Sequence, residues 1–556
     1  MRHRPISRAL PSHPVLPTRR NPVTNSVDSR YRQALRVKQH SSPTLDAPDT
    51  ASVKEMRRPN LEPSAIKPVT GRGAGYGEAV GRTSVTSKRP GRASLERLEL
   101  TRLNAVGLVT AFVLFWVPLV LDVPNLDATG ERMLAIFLVA LVLFVTEAIP
   151  LFATAALIIL LQVVMLSEQA LVPLAEPAGT ARSFYAALAD PVVILFLGGF
   201  LIADGAAKYR LDRNLASLVL TPFKHNARLA LLALMLLTAV LGQFMSNTAT
   251  AATMFAVMLP VLHSLPDLKA RAGFALSIPL ASNVGGLGTP VASPPNAIGV
   301  AAVAARGESI SFLAWMAAMW PLIIVLLAIG WLYLIVRYVP KGLALDLNIE
   351  RDFDTRLSAR VYYAASALTI ALWFTEPFHG IPASAAAFVA VVILLGSKVM
   401  TGDDLRALQW PVLWLVAGGI ALGSGVVASG LDEWLVSLVD WASVPGVLLL
   451  LALATITWVL GNLLSNTATA NLIIPIGLAL AVSIGQDIVT VGILLAAASS
   501  MGMMLPVSTP PNAIAYATGT VKTADLAWMG LLIGGTGVLL LGLVLPHLWA
   551  LIGVTG

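Results

Sequence analysis

The chain has 556 residues, of which 56% are hydrophobic and 12% charged, against about 25% charged in soluble domains. That composition excludes an ordinary soluble fold. The lack of cysteine excludes disulfide frameworks, thiolate metal sites and Cys nucleophiles, and the seven scattered His show no metal-binding spacing such as HExxH.

The net charge of +7 is unevenly spread: residues 1–100 hold 19 Lys and Arg against 8 Asp and Glu, and the remainder holds 19 against 23. Residues 1–100 are rich in Arg, Pro and Ser, contain no apolar run and read as a disordered basic tail. Lacking an h-region, they are not a secretory signal peptide. The simplest reading is a solvated cytoplasmic tail held near anionic lipid. An organellar transit peptide and an over-extended start site are the alternatives, and no nucleic-acid partner is expected.

From residue 101 on, apolar blocks follow one another, each long enough to need a bilayer. A first span lies in 101–125. A unit over 126–340 then holds spans near 131–149, 150–166, 191–206, 272–300 and 313–337. A second unit, 341–556, holds spans near 359–375, 383–399, 411–429, 488–517 and 526–550. Two stretches, 228–263 and 446–479, are too long for one crossing of ~20 residues, and a polar cluster interrupts each. Both read as re-entrant hairpins. The expected fold is an all-α polytopic membrane protein with about 11 transmembrane helices plus two hairpins.

Charge supports this layout. With a cytoplasmic N-terminus, sixteen of the 19 Lys and Arg beyond residue 100 fall in cytoplasmic regions, Arg102, Lys208, Lys269, Arg271, Arg337, Arg351 and Lys522 among them; Arg132, Arg182 and Arg306 fall outside. The membrane expected is a bacterial inner membrane.

The two units echo each other. Gly198-Gly199-Phe200 matches Gly418-Gly419-Ile420, and Ser246-Asn247-Thr248-Ala249-Thr250 recurs as Ser465-Asn466-Thr467-Ala468-Thr469. Ser293-Pro294-Pro295-Asn296-Ala297-Ile298 recurs as Thr509-Pro510-Pro511-Asn512-Ala513-Ile514, and Thr146-Glu147 as Thr375-Glu376. An odd number of crossings separates the units, so they are expected to be inverted repeats, with a substrate site at their interface.

The Ser-Asn-Thr clusters sit at membrane depth, where polar backbone survives only when covered by protein or lining a cavity. One such cluster reads as interhelical glue; the same five residues at matching places in both repeats read as a site. Each hairpin tip presents a helix N-terminus, with free N–H groups and the positive end of a dipole. Two facing tips would form a neutral cradle for an anion. Gly285 to Pro290, Pro506 and Pro510-Pro511 break two further spans and free carbonyls suited to a hard cation. No Lys or Arg lies in either hairpin core or broken span. A dianion held only by neutral donors is costly, and co-bound Na⁺ would offset that cost. Glu147 and Glu376 read as span terminators or, alternatively, as proton sites.

With Thr146-Glu147-Ala148-Ile149-Pro150 and Trp410-Pro411…Gly418-Gly419, these doubled motifs resemble the divalent anion/sodium symporter family, the di- and tricarboxylate and sulfate carriers. The resemblance covers residues 104–553. It implies an elevator-type transporter working as a homodimer, with no enzymatic activity. It places Ser246, Asn247 and Gly288 at one Na⁺ site and Leu464, Asn466 and Met504 at the other, with Gly242 and Gly461 alongside. It turns Asn247, Thr248, Thr289, Ser465, Asn466, Thr467 and Pro506 toward a small dianionic substrate. The chain departs from the family pattern at four places. Gly242 and Gly461 stand where a hydroxyl residue is common, and Gln243 and Asn462 where an acid is common. A carbonyl ligand at those glycines would lose nothing; a side-chain ligand would be missing. The leading expectation is Na⁺-coupled import of C4-dicarboxylates such as succinate or malate. Na⁺-independent exchange, a sulfate, citrate or other oxyanion permease, an intramembrane enzyme and a passive channel stand as alternatives.

Overall fold

The computed structural model describes residues 102–345, 352–438 and 445–555. The expectations for the tail and for Arg351 lie outside them. The regular elements of the described residues are helices, with one isolated bridge between Ser167 and Gly179. Among the described residues eight helices are long and apolar enough to cross a membrane, and shorter apolar helices accompany them.

The first half comprises α1 (Arg102–Val120), α2 (Ala128–Thr146), α3 (Leu151–Leu166), α4 (Pro191–Lys208), the short α5 (Leu211–Leu220), α6 (Ala227–Gly242), α7 (Asn247–Ser264), α8 (Leu268–Gly285), α9 (Pro294–Ala304) and α10 (Phe312–Arg337). The second half repeats this order with α11 (Leu357–Phe374), α12 (Ala383–Gly396), α13 (Trp410–Ala428), α14 (Leu431–Ser437), α15 (Gly446–Leu463), α16 (Asn466–Ser483), α17 (Ile488–Ser500), α18 (Pro510–Ala517) and α19 (Thr523–Leu543), followed by α20 (Leu545–Leu551).

Local chemistry sets these boundaries. Side-chain oxygens of Asp127, Asp190, Asn226, Asp267, Ser311 and Asp487 cap α2, α4, α6, α8, α10 and α17, each meeting a first-turn N–H that the helix leaves without a partner. Glu147 closes α2 in the left-handed region at φ 47 and is exposed. Glu376 opens a single turn, and its Oε2 accepts from the Phe312 N–H at 3.2 Å. Both carboxylates therefore stand at helix ends. The expected span 526–550 divides at Val544, because Pro546 in the next turn has no N–H to continue α19.

Within one compact unit the helices form two groups, or bodies, which share a continuous core. In one, α1 lies on α2, α2 on α3, α3 on α13, α4 on α12 and α11 on α12; the other gathers α6 to α10 with α15 to α19. Packing between the halves is reciprocal. As α4 lies on α12, α13 lies on α3; as α9 lies on α17, α18 lies on α8; and as α9 meets α16, α18 meets α7.

The repeated Gly-Gly pair makes one of these contacts possible. A Cβ on Gly198 would stand 2.6 Å from the Ala387 carbonyl oxygen, and one on Gly418 would stand 2.3 Å from the Ala155 Cβ. Only glycine lets these membrane helices approach so closely. The neighbouring glycines face the other body, Gly199 toward Val291 and Gly419 toward Asn471.

Candidate anion and cation site

Two helix–tip–helix elements, α6–α7 and α15–α16, bring their tips to one cavity. Ser246 Oγ accepts from the Ala249 N–H at 3.3 Å and Ser465 Oγ from the Ala468 N–H at 3.3 Å, so the repeated Ser is the N-cap of α7 and of α16. Capping satisfies one first-turn donor in each helix. The earlier N–H groups, at Asn247 and Thr248 and at Asn466 and Thr467, point past the helix start.

These residues line a cavity of about 230 Å³, smaller than the ~300–1,000 Å³ usual for drug-sized ligands, between the two bodies. The hairpin-bearing body supplies the polar wall, adding Asn283, Ser293, Ser508 and Thr509 to the two tips. The facing wall, from α3, α4 and α13, is largely apolar, with Leu151, Phe196, Phe200 and Val412, and Gln409 is the one polar group beside it. Gln409 Nε2 donates to Ser246 Oγ at 3.3 Å, joining the walls. No lining residue carries a formal charge. The attraction for an anion therefore comes from N–H groups, hydroxyls, amides and the ends of two helix dipoles.

Behind the tips, the two breaks are stitched in parallel. Asn296 Nδ2 donates to the carbonyls of Gly286 (2.9 Å) and Thr289 (2.8 Å); Asn512 Nδ2 donates to those of Met503 (2.8 Å) and Leu505 (3.0 Å). Trp315 Nε1 donates to the Leu287 carbonyl at 2.9 Å, and Trp458 Nε1 to that of Met501 at 3.2 Å. Thr289 is fully buried and lies outside the cavity lining: its hydroxyl donates to the Gln243 carbonyl at 2.5 Å. In the second half Leu505 follows Met504 where Thr289 follows Gly288, and Ser508 supplies the equivalent bond, to the Asn462 carbonyl at 3.2 Å. Pro506 also lies outside the lining.

Of the residues expected to hold cations, Ser246, Asn247 and Asn466 line the cavity, and Gly242, Gly288, Gly461, Leu464 and Met504 lie outside the lining. Gly242 and Gly461 face the carbonyls of Ser282 and Ser499, and a Cβ on them would come within 3.3 and 2.9 Å of those oxygens. These glycines keep the backbones close, and a serine at position 461 would collide with that carbonyl. Gly288 faces the Gln243 side chain, Leu464 follows the last turn of α15, and the Met504 N–H donates to Asn462 Oδ1 at 2.8 Å. Two amides stand among these residues. Asn247 Oδ1 is buried without a hydrogen-bond partner, while Ser282 Oγ donates to the Asn247 carbonyl at 2.7 Å. One amide atom of Asn466 stands 3.1 Å from the Ser499 carbonyl and 3.3 Å from that of Gly461. With its NH₂ turned to that side, Asn466 donates to both carbonyls.

Sequence motifs did not point to Gln409 or to Asn283 individually. Asn283 Nδ2 reaches into the other half, to Thr509 Oγ1 at 3.1 Å and Asn512 Oδ1 at 3.2 Å. Neither residue recurs at its matching place, so the repeat carried no signal for them.

Residues 141–497 match the citrate transporter family. The chain belongs to that family. It is 31% identical over 463 residues to an uncharacterized transporter of Haemophilus influenzae, covering 77% of this chain and 94% of the relative. It is 29% identical over 489 residues to the sodium-dependent dicarboxylate transporter SdcS of Staphylococcus saprophyticus, covering 80% and 91%. The SdcS of Staphylococcus aureus strain MRSA252 is 28% identical over 486 residues. The chain is thus an integral membrane transporter of the divalent anion/sodium symporter family, as its motifs resemble. In fold, it is similar to the Alcanivorax borkumensis YdaH transporter, with a TM-score of 0.50 at 14% identity over 77% of this chain and 99% of that one.

Proposed function

We propose that this transporter imports small dianions, C4-dicarboxylates such as succinate first among them, together with Na⁺. One observation carries the reading: two helix N-termini, each begun by Ser-Asn-Thr, open into one small cavity without a charged lining residue. The N–H groups and hydroxyls of Asn247, Thr248, Ser465, Asn466 and Thr467 suit two carboxylates. A dianion held by neutral donors in a poor dielectric leaves its charge uncompensated. The free Oδ1 of Asn247 is the group to accept a compensating cation. The SdcS relatives, named as sodium-dependent dicarboxylate carriers, support the same assignment. Thr289 and Pro506, outside the lining, would act by shaping the breaks.

Alternating access would follow from sliding the hairpin-bearing body along the largely apolar wall of α3, α4 and α13, with the halves acting as inverted repeats. The membrane would be a bacterial inner membrane with the N-terminus cytoplasmic. A second reading, Na⁺-independent dicarboxylate exchange, is favoured by Asn466, whose NH₂ satisfies the Ser499 and Gly461 carbonyls with no cation.

Uptake of radiolabelled succinate into proteoliposomes separates the two. Symport predicts accumulation that requires an inward Na⁺ gradient and no internal dicarboxylate. Accumulation that needs preloading and ignores Na⁺ would replace symport with exchange. No succinate uptake under either condition, with citrate or sulfate carried instead, would overturn the substrate assignment.

A further inference from the structure

A second cavity, larger than the one between the hairpin tips, lies apart from it. It measures about 590 Å³ and lies where the start of α8, the end of α10 and the turn before α19 meet. Its charged lining is Lys269, Arg271, Arg337 and Lys522 against a single acid, Asp525. The acid is already engaged: its Oδ1 accepts from the Tyr338 hydroxyl at 2.7 Å and its Oδ2 from the Lys522 N–H at 3.2 Å. Among the described residues none of the four cations is in an ion pair, whereas five other Lys and Arg are. Scattered cations at a membrane face are ordinary, but these four converge on one concavity.

Two details point to an occupant. Arg271 is held in place, its Nε donating to the Leu265 carbonyl at 2.7 Å and its Nη2 to that of His263 at 3.3 Å, so part of the guanidinium stays available at a fixed position. An apolar side chain also adjoins the cations: Leu268 lines the cavity at 73% exposure. A basic hollow beside exposed apolar surface at the ends of membrane helices matches an anionic head group joined to acyl chains.

We propose that this cavity binds a phosphate ester, the head group of an anionic phospholipid, and that Lys269, Arg271, Arg337 and Lys522 hold its phosphate. Every lining element belongs to the hairpin-bearing body, so the head group would be carried by that body rather than by the facing wall.

The test uses the purified full-length chain in neutral detergent, with binding read from the rise in melting temperature during titration. The probes are short-chain phosphatidylglycerol, short-chain phosphatidylcholine and inorganic phosphate. Phosphatidylglycerol is expected to stabilise and phosphatidylcholine not. R337Q/K522Q should weaken the apparent affinity about 30-fold, at roughly 1 kcal/mol per charge. R337K/K522R and R182Q, a cation elsewhere, should bind as the original does. All these variants keep residues 1–100, so the basic tail contributes equally to each. Should R337Q/K522Q fold poorly, K269Q tests the same cavity through an exposed side chain. A full response to inorganic phosphate alone, lost in R337Q/K522Q, would uphold the phosphate site and assign it to a soluble ester. Equal responses to the two lipids, or an undiminished response in the neutralised variant, would overturn the proposal.

Discussion

Asn296 and Asn512 illustrate what a broken membrane helix demands of single residues. Each break frees carbonyls that hydrocarbon cannot solvate, and each Asn returns a two-pronged donor, Asn296 to carbonyls three residues apart and Asn512 to carbonyls two residues apart. Removing the amide at Asn512 strands the Met503 and Leu505 oxygens at about 1–3 kcal/mol each. N512A should therefore lower the thermal midpoint of the purified protein and reduce uptake even though the cavity keeps its tips. An unchanged midpoint would show that water or a neighbour replaces the amide. Much of this was legible in the sequence, because Pro-Pro-Asn recurs at both breaks. Thr289 was harder. Its resemblance-based role turned it toward substrate, whereas its hydroxyl is spent on the Gln243 carbonyl. Which way a Thr turns depends on a partner 46 residues away, and local spacing does not encode that.

At the level of elements, the connecting helices α5 and α14 carry a repeat that the motif comparison passed over. Leu211-Asp212 and Leu431-Asp432 each follow a residue in the left-handed region, Arg210 at φ 54 and Gly430 at φ 67. Both helices pack on the hairpin-bearing body, α5 against α7 and α14 against α16, and Asp212 Oδ1 accepts from the Arg213 N–H at 2.7 Å. Asp432 pairs with Arg306 at 3.0 Å, and Arg306 Nη2 also lies 3.4 Å from the Pro475 carbonyl on α16. The sequence had placed Arg306 among the few cations outside the cytoplasm. The structure gives it this mostly buried partner. Breaking a buried pair from one side costs about 3–5 kcal/mol, while replacing both members with apolar residues can be neutral. D432N should accordingly destabilise the protein strongly and R306M/D432L should recover most of the loss, read from thermal midpoints. Equal loss in both would mean the charges act separately. These helices, of ten and seven residues, are too short to show against the apolar blocks around them, so the charge pattern alone did not reveal them.

Across the whole molecule, two reciprocally packed bodies enclose one uncharged cavity. That arrangement follows from the doubled sequence more directly than any single contact does. Repeated Gly-Gly pairs set the close approach of α4 to α12 and α13 to α3, and repeated Ser-Asn-Thr tips meet at the cavity. The largely apolar facing wall was not legible in the same way, since Leu151, Phe196, Phe200 and Val412 look like any other residues of a membrane helix. That wall offers the most direct test of the central claim, that the anion binds between the tips and depends on Na⁺ to do so. The natural chain has no cysteine, so V412C places a single thiol on the cavity wall without touching a polar donor. The rate of its alkylation in proteoliposomes should fall severalfold with succinate, and only when Na⁺ is present. Alkylation indifferent to succinate, in a V412C protein that still transports it, would place the substrate elsewhere and contradict the account.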